Sequence, residues 1–407
     1  MNVLFIAPYV PTLIRVRPYN FVRYLARAGH CVTLATLWES DAERDALAPL
    51  QAEGINVITA SLTRNRKLRN LLAALPSSKP LQSNFCWQPE LAALIDQRLR
   101  SGKFDVIHVE HLRGSRYALH AQSAIGNGQS NIPIVWDSVD SITHLFEQAA
   151  QQSQSAKGKL MTAFELPRTR RHEGWLAAQF DRVLVTSPVD KTAIENISPQ
   201  HAPIEVVPNG VDLDYFAPAD TPRDPNTLVF SGKMSYHANV TAVMHLVNDI
   251  MPAIWAQRPQ VTLTIAGKDP TPDVQALAAK HAGRVVVTGA VPDMRDYLRK
   301  ASVAVVPVVY GAGIQNKVLE AMACGTPVVT SDKTVRSLQP GYEAALRVAS
   351  SPQQFAEAVL HLLDDETARL QLGRAGRAYI EAHHDWRAIV ERLGCIYQDA
   401  QAQNADR

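Results

Sequence analysis

The stretch VAVVPVVYGAGIQNKVLEAMACGTPVVT, residues 303–330, decides the fold. It opens with a β-branched run ending at Pro307 and passes through the loop Gly311-Ala312-Gly313-Ile314-Gln315-Asn316. A short helical pattern over 317–324 follows, stopped by Gly325 before the next apolar run begins at Thr326-Pro327. Apolar strand, helix, apolar strand is the unit of a parallel sheet covered on both faces. Glycines let backbone approach a ligand closely, and free N–H groups at a helix start attract anions, which makes this loop a candidate phosphate cradle. Glu320 offers a carboxylate that accepts two hydrogen bonds from vicinal hydroxyls, as a ribose presents. Lys317, one turn earlier, offers a cation for a pyrophosphate. The same spacing also fits a tight strand–helix turn with a solvent-facing Lys–Glu pair.

The pattern repeats on either side. Strand candidates in the first half are 3–7, 31–36, 57–61, 105–109, 132–136 and 182–186, with an amphipathic helix over 18–28 closed by Gly29. The second half gives 228–231, 261–266, 285–288, 303–307, 327–330 and 346–349. The spacings leave room for the crossovers that parallel strands require. In IEVVPNGVD, residues 204–212, a strand runs into Pro-Asn-Gly, and beyond it 218–225 is a Pro- and Asp-rich linker. The expected architecture is α/β, with two Rossmann-like, doubly wound parallel-sheet domains at 1–205 and 206–385 and ligands at the carboxyl ends of the strands.

At 407 residues the chain is long enough for two domains, each with a real core. Forty-one Lys and Arg against thirty-nine Asp and Glu leave a formal charge of +2, which argues against a polybasic nucleic-acid binder. Four widely spaced cysteines form neither a disulfide framework nor a zinc motif and fit a reducing cytoplasm. The opening MNVLFIAPYVPTLIRVR has its basic residues after the apolar run, which Pro8 and Pro11 interrupt, so it reads as a first strand and not a signal peptide. No stretch approaches the roughly 20 apolar residues of a spanning helix. The expectation is a soluble or peripheral protein.

Further segments strengthen one resemblance: VVPNGVDLDYF (206–216), FSGKM (230–234), IAG (265–267), and VTG (287–289) with Val291 and Asp293. With the loop and helix at 311–324, they resemble the family 4 glycosyltransferases, retaining enzymes of the GT-B fold. A finer similarity, to sugar transferases of bacterial exopolysaccharide systems, rests on GKMSYHANV and GAGIQNKVLEAM. The resemblance implies transfer of sugar from a UDP- or GDP-linked donor to a glycan or lipid-linked acceptor, with retention, in polysaccharide biosynthesis. It implies no cofactor and no metal, and a C-terminal helix at 386–402 that returns to the first domain. A non-catalytic GT-B-like nucleotide-sugar binder is the alternative, and a nucleotide-dependent oxidoreductase would share the doubly wound sheets.

Residue by residue, the family pattern places Glu320 at the ribose and Lys233 at the donor pyrophosphate. Gly232, Gly311, Gly313, Ile314, Gln315 and Asn316 line the donor, and backbone around Gly289–Val291 meets the base. The family's first glutamate, seven residues before Glu320, is Ala312 here, and its second lysine is absent where His237-Ala238-Asn239 stand, leaving Lys317 to compensate. The usual glycine-rich loop after the first strand is replaced by Pro11-Thr12-Leu13-Ile14-Arg15-Val16-Arg17, so Arg15 or Arg17 would approach phosphate, or else solvate the next helix. In Asp105-Val106-Ile107-His108-Val109-Glu110-His111, Glu110 occupies the place of a family histidine. Alternation puts His108 and Glu110 on one face with His111 at the carboxyl end. His111 or Glu110 is expected to contact the acceptor or assist transfer, whereas His108 equally fits a buried, satisfied histidine. Asp137 and Asp140 would bind acceptor hydroxyls or cap the next helix.

Asp212-Leu213-Asp214 spells a metal-binding Asp-x-Asp but sits in a turn, and reads as capping. Arg64, Arg66, Lys67 and Arg69, interleaved with leucines, form a basic amphipathic helix suited to an anionic membrane at the inner face of the plasma membrane, or an ordinary solvated face. Arg168, Arg170 and Arg171 form a second patch with the same two readings.

Overall fold

The computed structural model describes residues 1–126, 132–152, 156–310 and 315–405. It divides into two compact units, Met1–Pro208 with Trp386–Arg407, and Asn209–Asp385.

The first unit is built on a seven-stranded parallel sheet. Its strands are β1 (Asn2–Ala7), β2 (Cys31–Trp38), β3 (Asn56–Ser61), β4 (Val106–Glu110), β5 (Ile134–Val139), β6 (Arg182–Val185) and β7 (Ile204–Val206), ordered β3-β2-β1-β4-β5-β6-β7. Alternation explains the unbroken apolar run of β1. Val3 and Phe5 face a core formed with Phe21, Leu25, Trp386 and Leu393. Leu4 and Ile6 face the opposite core, formed with Leu91, Ile95, Leu112 and Tyr117. The first of these layers includes the C-terminal helix Trp386–Ala405, which packs against the helix Val16–Arg27.

The second unit carries β8 (Asp224–Ser231), β9 (Thr262–Ala266), β10 (Val285–Gly289), β11 (Ala301–Val306), β12 (Val328–Ser331) and β13 (Arg347–Ala349), ordered β10-β9-β8-β11-β12-β13 and parallel throughout. Leu228, Phe230, Val303 and Val305 pack into one covering layer; Val229, Ala304 and Val306 pack into the other. In each unit the strand order reverses once, between β1 and β4 and between β8 and β11, and the carboxyl ends flanking that reversal are where a doubly wound sheet leaves a crevice.

One close approach joins the ends of β8 and β9, beside the second reversal. Gly232 and Gly267 follow β8 and β9 with φ of 149° and 148°, and a Cβ on Gly267 would stand 1.7 Å from the Gly232 carbonyl oxygen. Only glycine tolerates both the angle and the contact. Gly267→Ala should therefore lower the urea midpoint, by more than about 2 kcal/mol of stability, whereas Gly283→Ala, with open space around it, costs only its backbone strain.

Candidate functional site

In the second unit three strand ends are stitched together by backbone. The Gly232 amide donates to the Ala266 carbonyl (3.0 Å) and the Gly267 amide to the Gly289 carbonyl (3.1 Å). Lys233 leaves this platform with its side chain half exposed and its ammonium 3.8 Å from the Asp269 carboxylate. Beneath it, the Asn239 side-chain amide donates to the Lys233 carbonyl at 2.9 Å and holds the loop. Val291 lies in the turn after β10, partly buried.

The helix Asn316–Ala323 faces the same platform. A Cβ on Gly232 would come within 3.3 Å of the Lys317 Cε, so the glycine makes room for that side chain. Gln315, at the N-cap position, does not cap the helix with its side chain; its Oε1 accepts instead from the Lys317 ammonium at 3.0 Å. The Asn316 carboxamide accepts from the Asn209 side chain at 3.4 Å. Val318, Leu319, Ala321 and Met322 bury the other face, leaving Lys317 and Glu320 a turn apart on the remaining one. Burial lowers the Lys317 ammonium to about 8, partly offset by Glu320. It raises the Glu320 carboxyl to about 7, partly offset by Lys317. Gly311, Gly313 and Ile314 lie outside the described residues.

Two arginines hold the far end of this helix. Arg377 donates to the carbonyls of Ala323 (2.8 Å) and Phe216 (2.7 Å), and Arg223 to the carbonyl of Cys324 (3.0 Å) as well as those of Leu298 and Ala301. They occupy carbonyls that a helix C-terminus leaves unpaired and oppose its negative end.

In the first unit the strand ends carry a buried polar chain. Arg17 grips Asp137 with two bonds, Nε to Oδ2 at 2.6 Å and Nη2 to Oδ1 at 3.1 Å, and donates through Nη1 to the Val207 carbonyl at 2.8 Å. His108 lies stacked on Phe5 (4.3 Å), with Nε2 3.5 Å from Asp137 and Nδ1 2.8 Å from the Tyr397 hydroxyl. Burial alone would raise the Asp137 carboxyl; Arg17 and His108 outweigh it and hold it below the usual range. The structure pairs Arg17 and Asp137, the residues expected beside phosphate and acceptor, with one another. Arg17 is 3% exposed and Asp137 fully buried, and the pair is spent on one another and on the chain leaving β7.

Arg15 is partly exposed, donates to the Val10 carbonyl (3.1 Å) and lies over the Tyr9 ring (4.6 Å). Glu110 ends β4 buried, accepting from the Tyr9 hydroxyl at 3.0 Å, while its Oε2 has no hydrogen-bond partner among the described residues. Burial, then the Asp137 charge, pushes its carboxyl up to about 8, so it is a neutral acid at pH 7. His111 begins the helix His111–Gly126 with φ of 64°. Burial takes its imidazole down to about 3, and Nδ1 faces the Arg113 amide at 3.3 Å, which leaves Nε2 to carry the proton. Asp140 accepts from the Thr186 hydroxyl (3.0 Å) and does not cap the next helix; the Ser141 hydroxyl faces the His144 amide in that role. Asp212 accepts from the amides of Asp214 and Tyr215, a turn cap. Among the described residues no cluster of three His, Cys, Asp or Glu is placed to hold a metal ion.

Comparison with known proteins decides the family. Residues 14–210 match the family described as "Glycosyl transferase 4-like domain" and residues 225–365 match "Glycosyl transferases group 1". The chain belongs to the group 1 glycosyltransferases. It is 29% identical over 255 residues to a GDP-mannose-dependent monoacylated alpha-(1-6)-phosphatidylinositol monomannoside mannosyltransferase of Corynebacterium glutamicum, covering 57% of this chain and 66% of that one. It is 30% identical to glycogen synthase of Mycobacterium tuberculosis, covering 55% and 56%. The chain thus spans about half to two thirds of the curated relatives it matches. Among solved structures, sucrose-phosphate synthase of Thermosynechococcus elongatus superposes with a TM-score of 0.70 over 99% of both chains at 19% identity. Anabaena HepE in complex with UDP-glucose gives 0.65 over 98% and 100% at 14% identity. These share the GT-B fold. The relatives' names concern phosphatidylinositol mannosides and glycogen, and give no support to the finer exopolysaccharide similarity.

In this group 1 glycosyltransferase the sequence motifs converge on the strand ends of β8–β10 and the helix after β11, whereas Arg223, Arg377, Tyr9 and Tyr397 carried no motif by which to find them. The Arg17–Asp137 pair gives a direct test. Arg17→Met leaves a buried carboxylate uncompensated and should cost about 3–5 kcal/mol in urea unfolding. Arg17→Lys, which keeps the charge but loses the fork, should recover only part of that loss.

Proposed function

We propose that this protein transfers a glycosyl residue from a nucleoside diphosphate sugar to a hydroxyl of a glycan or lipid-linked acceptor, with retention at the anomeric carbon. The reading rests on one observation: Lys317 and Glu320 sit a turn apart at the start of a helix whose approach to the β8 platform is cleared by Gly232. Glu320, as carboxylate, accepts from the two ribose hydroxyls. Lys317 and Lys233 neutralise the diphosphate, with backbone at Gly289–Val291 against the base and Gln315 and Asn316 beside the phosphates. The donor is UDP- or GDP-linked, in keeping with the GDP-mannose and UDP-glucose named for the relative and the structural neighbour.

Charge drives the chemistry. As the bond between anomeric carbon and phosphate oxygen breaks, negative charge grows on the leaving diphosphate, where fixed cations stabilise it more than in the ground state. The acceptor oxygen attacks from the same face, and its proton passes to the departing phosphate oxygen. On the first unit, neutral Glu110 and the Nε2–H of His111 provide hydrogen-bond donors for the acceptor.

Calorimetry with UDP, GDP and their sugars is the first test, followed by product analysis. Glu320→Ala should weaken nucleotide binding about 10- to 100-fold, the loss of two charge-assisted bonds. Lys233→Ala should lower kcat by about 100-fold. Binding without any product in the wild type would instead mark a non-catalytic nucleotide-sugar binder, and the absence of heat with every nucleotide would overturn the reading.

The pH dependence has a definite sign. Below about 7 Glu320 takes up a proton and loses acceptor capacity; above about 8 Lys317 loses its charge. Nucleotide affinity should therefore peak between those values, and Glu320→Gln should abolish the acid limb while leaving the alkaline one.

A further inference from the structure

Two helices of the first unit expose apolar stripes side by side. On the helix Arg64–Ala74 and its capping residue, Leu68, Leu72 and Leu75 are 57%, 57% and 46% exposed. At 100° per residue they fall within an arc of about 60°, flanked by Arg64 on one side and Arg69 on the other. On the helix Ala156–Leu176, Leu160, Phe164 and Trp175 share a second stripe, with Met161 at its edge, all exposed. Arg171 stands on that stripe too.

The stripes are joined. Arg168 lies over the Phe164 ring at 3.8 Å and donates to the Leu75 carbonyl at 3.1 Å, while Glu165 accepts from the Leu81 amide at 3.0 Å. The exposed charge carried by these two helices is of one sign. Residues 64–79 contain no Asp or Glu, and the two acids of 160–176, Glu165 and Glu173, are buried against backbone amides. Sequence alone put four cations here, but two are committed elsewhere: Lys67 pairs with Glu39 at 2.5 Å, and Arg66 donates to the Trp87 carbonyl at 3.3 Å. Arg170 likewise turns aside, 3.6 Å from Glu147. Arg64, Arg69 and Arg171 remain exposed around the leucines and aromatics.

We propose that this two-helix face lies on the surface of an anionic lipid bilayer, with the leucines, Phe164 and Trp175 at the headgroup–acyl boundary and the arginines on lipid phosphates. Apolar side chains ringed by arginine, with a tryptophan and no exposed acid on either helix, match such a surface in both polarity and charge. The assignment is independent of the transfer reading, since it is tested with neither donor nor acceptor present.

The test is co-sedimentation of the full chain with phosphatidylcholine vesicles, with and without phosphatidylglycerol. The wild type should partition onto the anionic vesicles and be released by salt. Leu72→Asp with Phe164→Asp should weaken partitioning at least about tenfold. Arg64→Gln and Arg69→Gln should each weaken it about fivefold on anionic vesicles and leave zwitterionic ones unchanged. The positions are exposed, and unchanged melting curves establish that the variants fold. A wild type that stays in the supernatant with anionic vesicles would overturn the proposal, as would variants that bind equally well. So would a wild-type dimer by sedimentation velocity that Leu72→Asp/Phe164→Asp converts to monomer, since the face would then belong to a second copy.

Discussion

A cation and a carboxylate withdrawn from water at the start of one short helix set the terms for the second unit. Desolvating Lys317 and Glu320 costs free energy, and at this separation each returns only part of it to the other. The remainder comes from the packing of Val318, Leu319 and Met322 and from the arginines at the helix's far end. The carboxyl end of the helix is thus tied by Arg223 and Arg377 to the chain around it. An anion placed beside Lys317 would favour its charged form, against the burial that disfavours it.

The first unit solves a different electrostatic problem. Its buried charges are consumed internally: Arg17 balances Asp137, and His108 remains neutral between a phenyl ring and a tyrosine hydroxyl. That chain of contacts runs from the C-terminal helix to the carbonyl of Val207, where the chain leaves the unit. Burial instead favours the neutral forms of Glu110 and His111 at the end of β4. Hydroxyl-rich ligands suit such groups better than anions do.

Much of this was legible in the sequence, for local reasons. Val3 to Ile6 announced a strand buried on both faces, Gly325 stopped a helix, and the three-residue step from Lys317 to Glu320 put both on one face. The arginines show why the rest was not. Arg17 and Arg15 look alike in the string, yet one finds Asp137 120 residues away and the other does not. Arg66 and Lys67 read as part of a basic patch until Trp87 and Glu39 are seen beside them. Tyr397 reaches His108 across 289 residues, and no window of sequence spans that. Periodicity reports which side of an element is buried; it is silent about which distant partner waits there.

The helix Trp386–Ala405 completes the unit that Met1 begins. Phe5 and Phe21 near the start of the sequence therefore owe part of their cover to Trp386 and Leu393, more than 360 residues later. The second unit is contiguous from Asn209 to Asp385 and needs no segment from outside that range to fill its core. A chain cut short at 385 would keep the second unit whole beside an N-terminal half with one apolar flank bare, the kind of species chaperones retain.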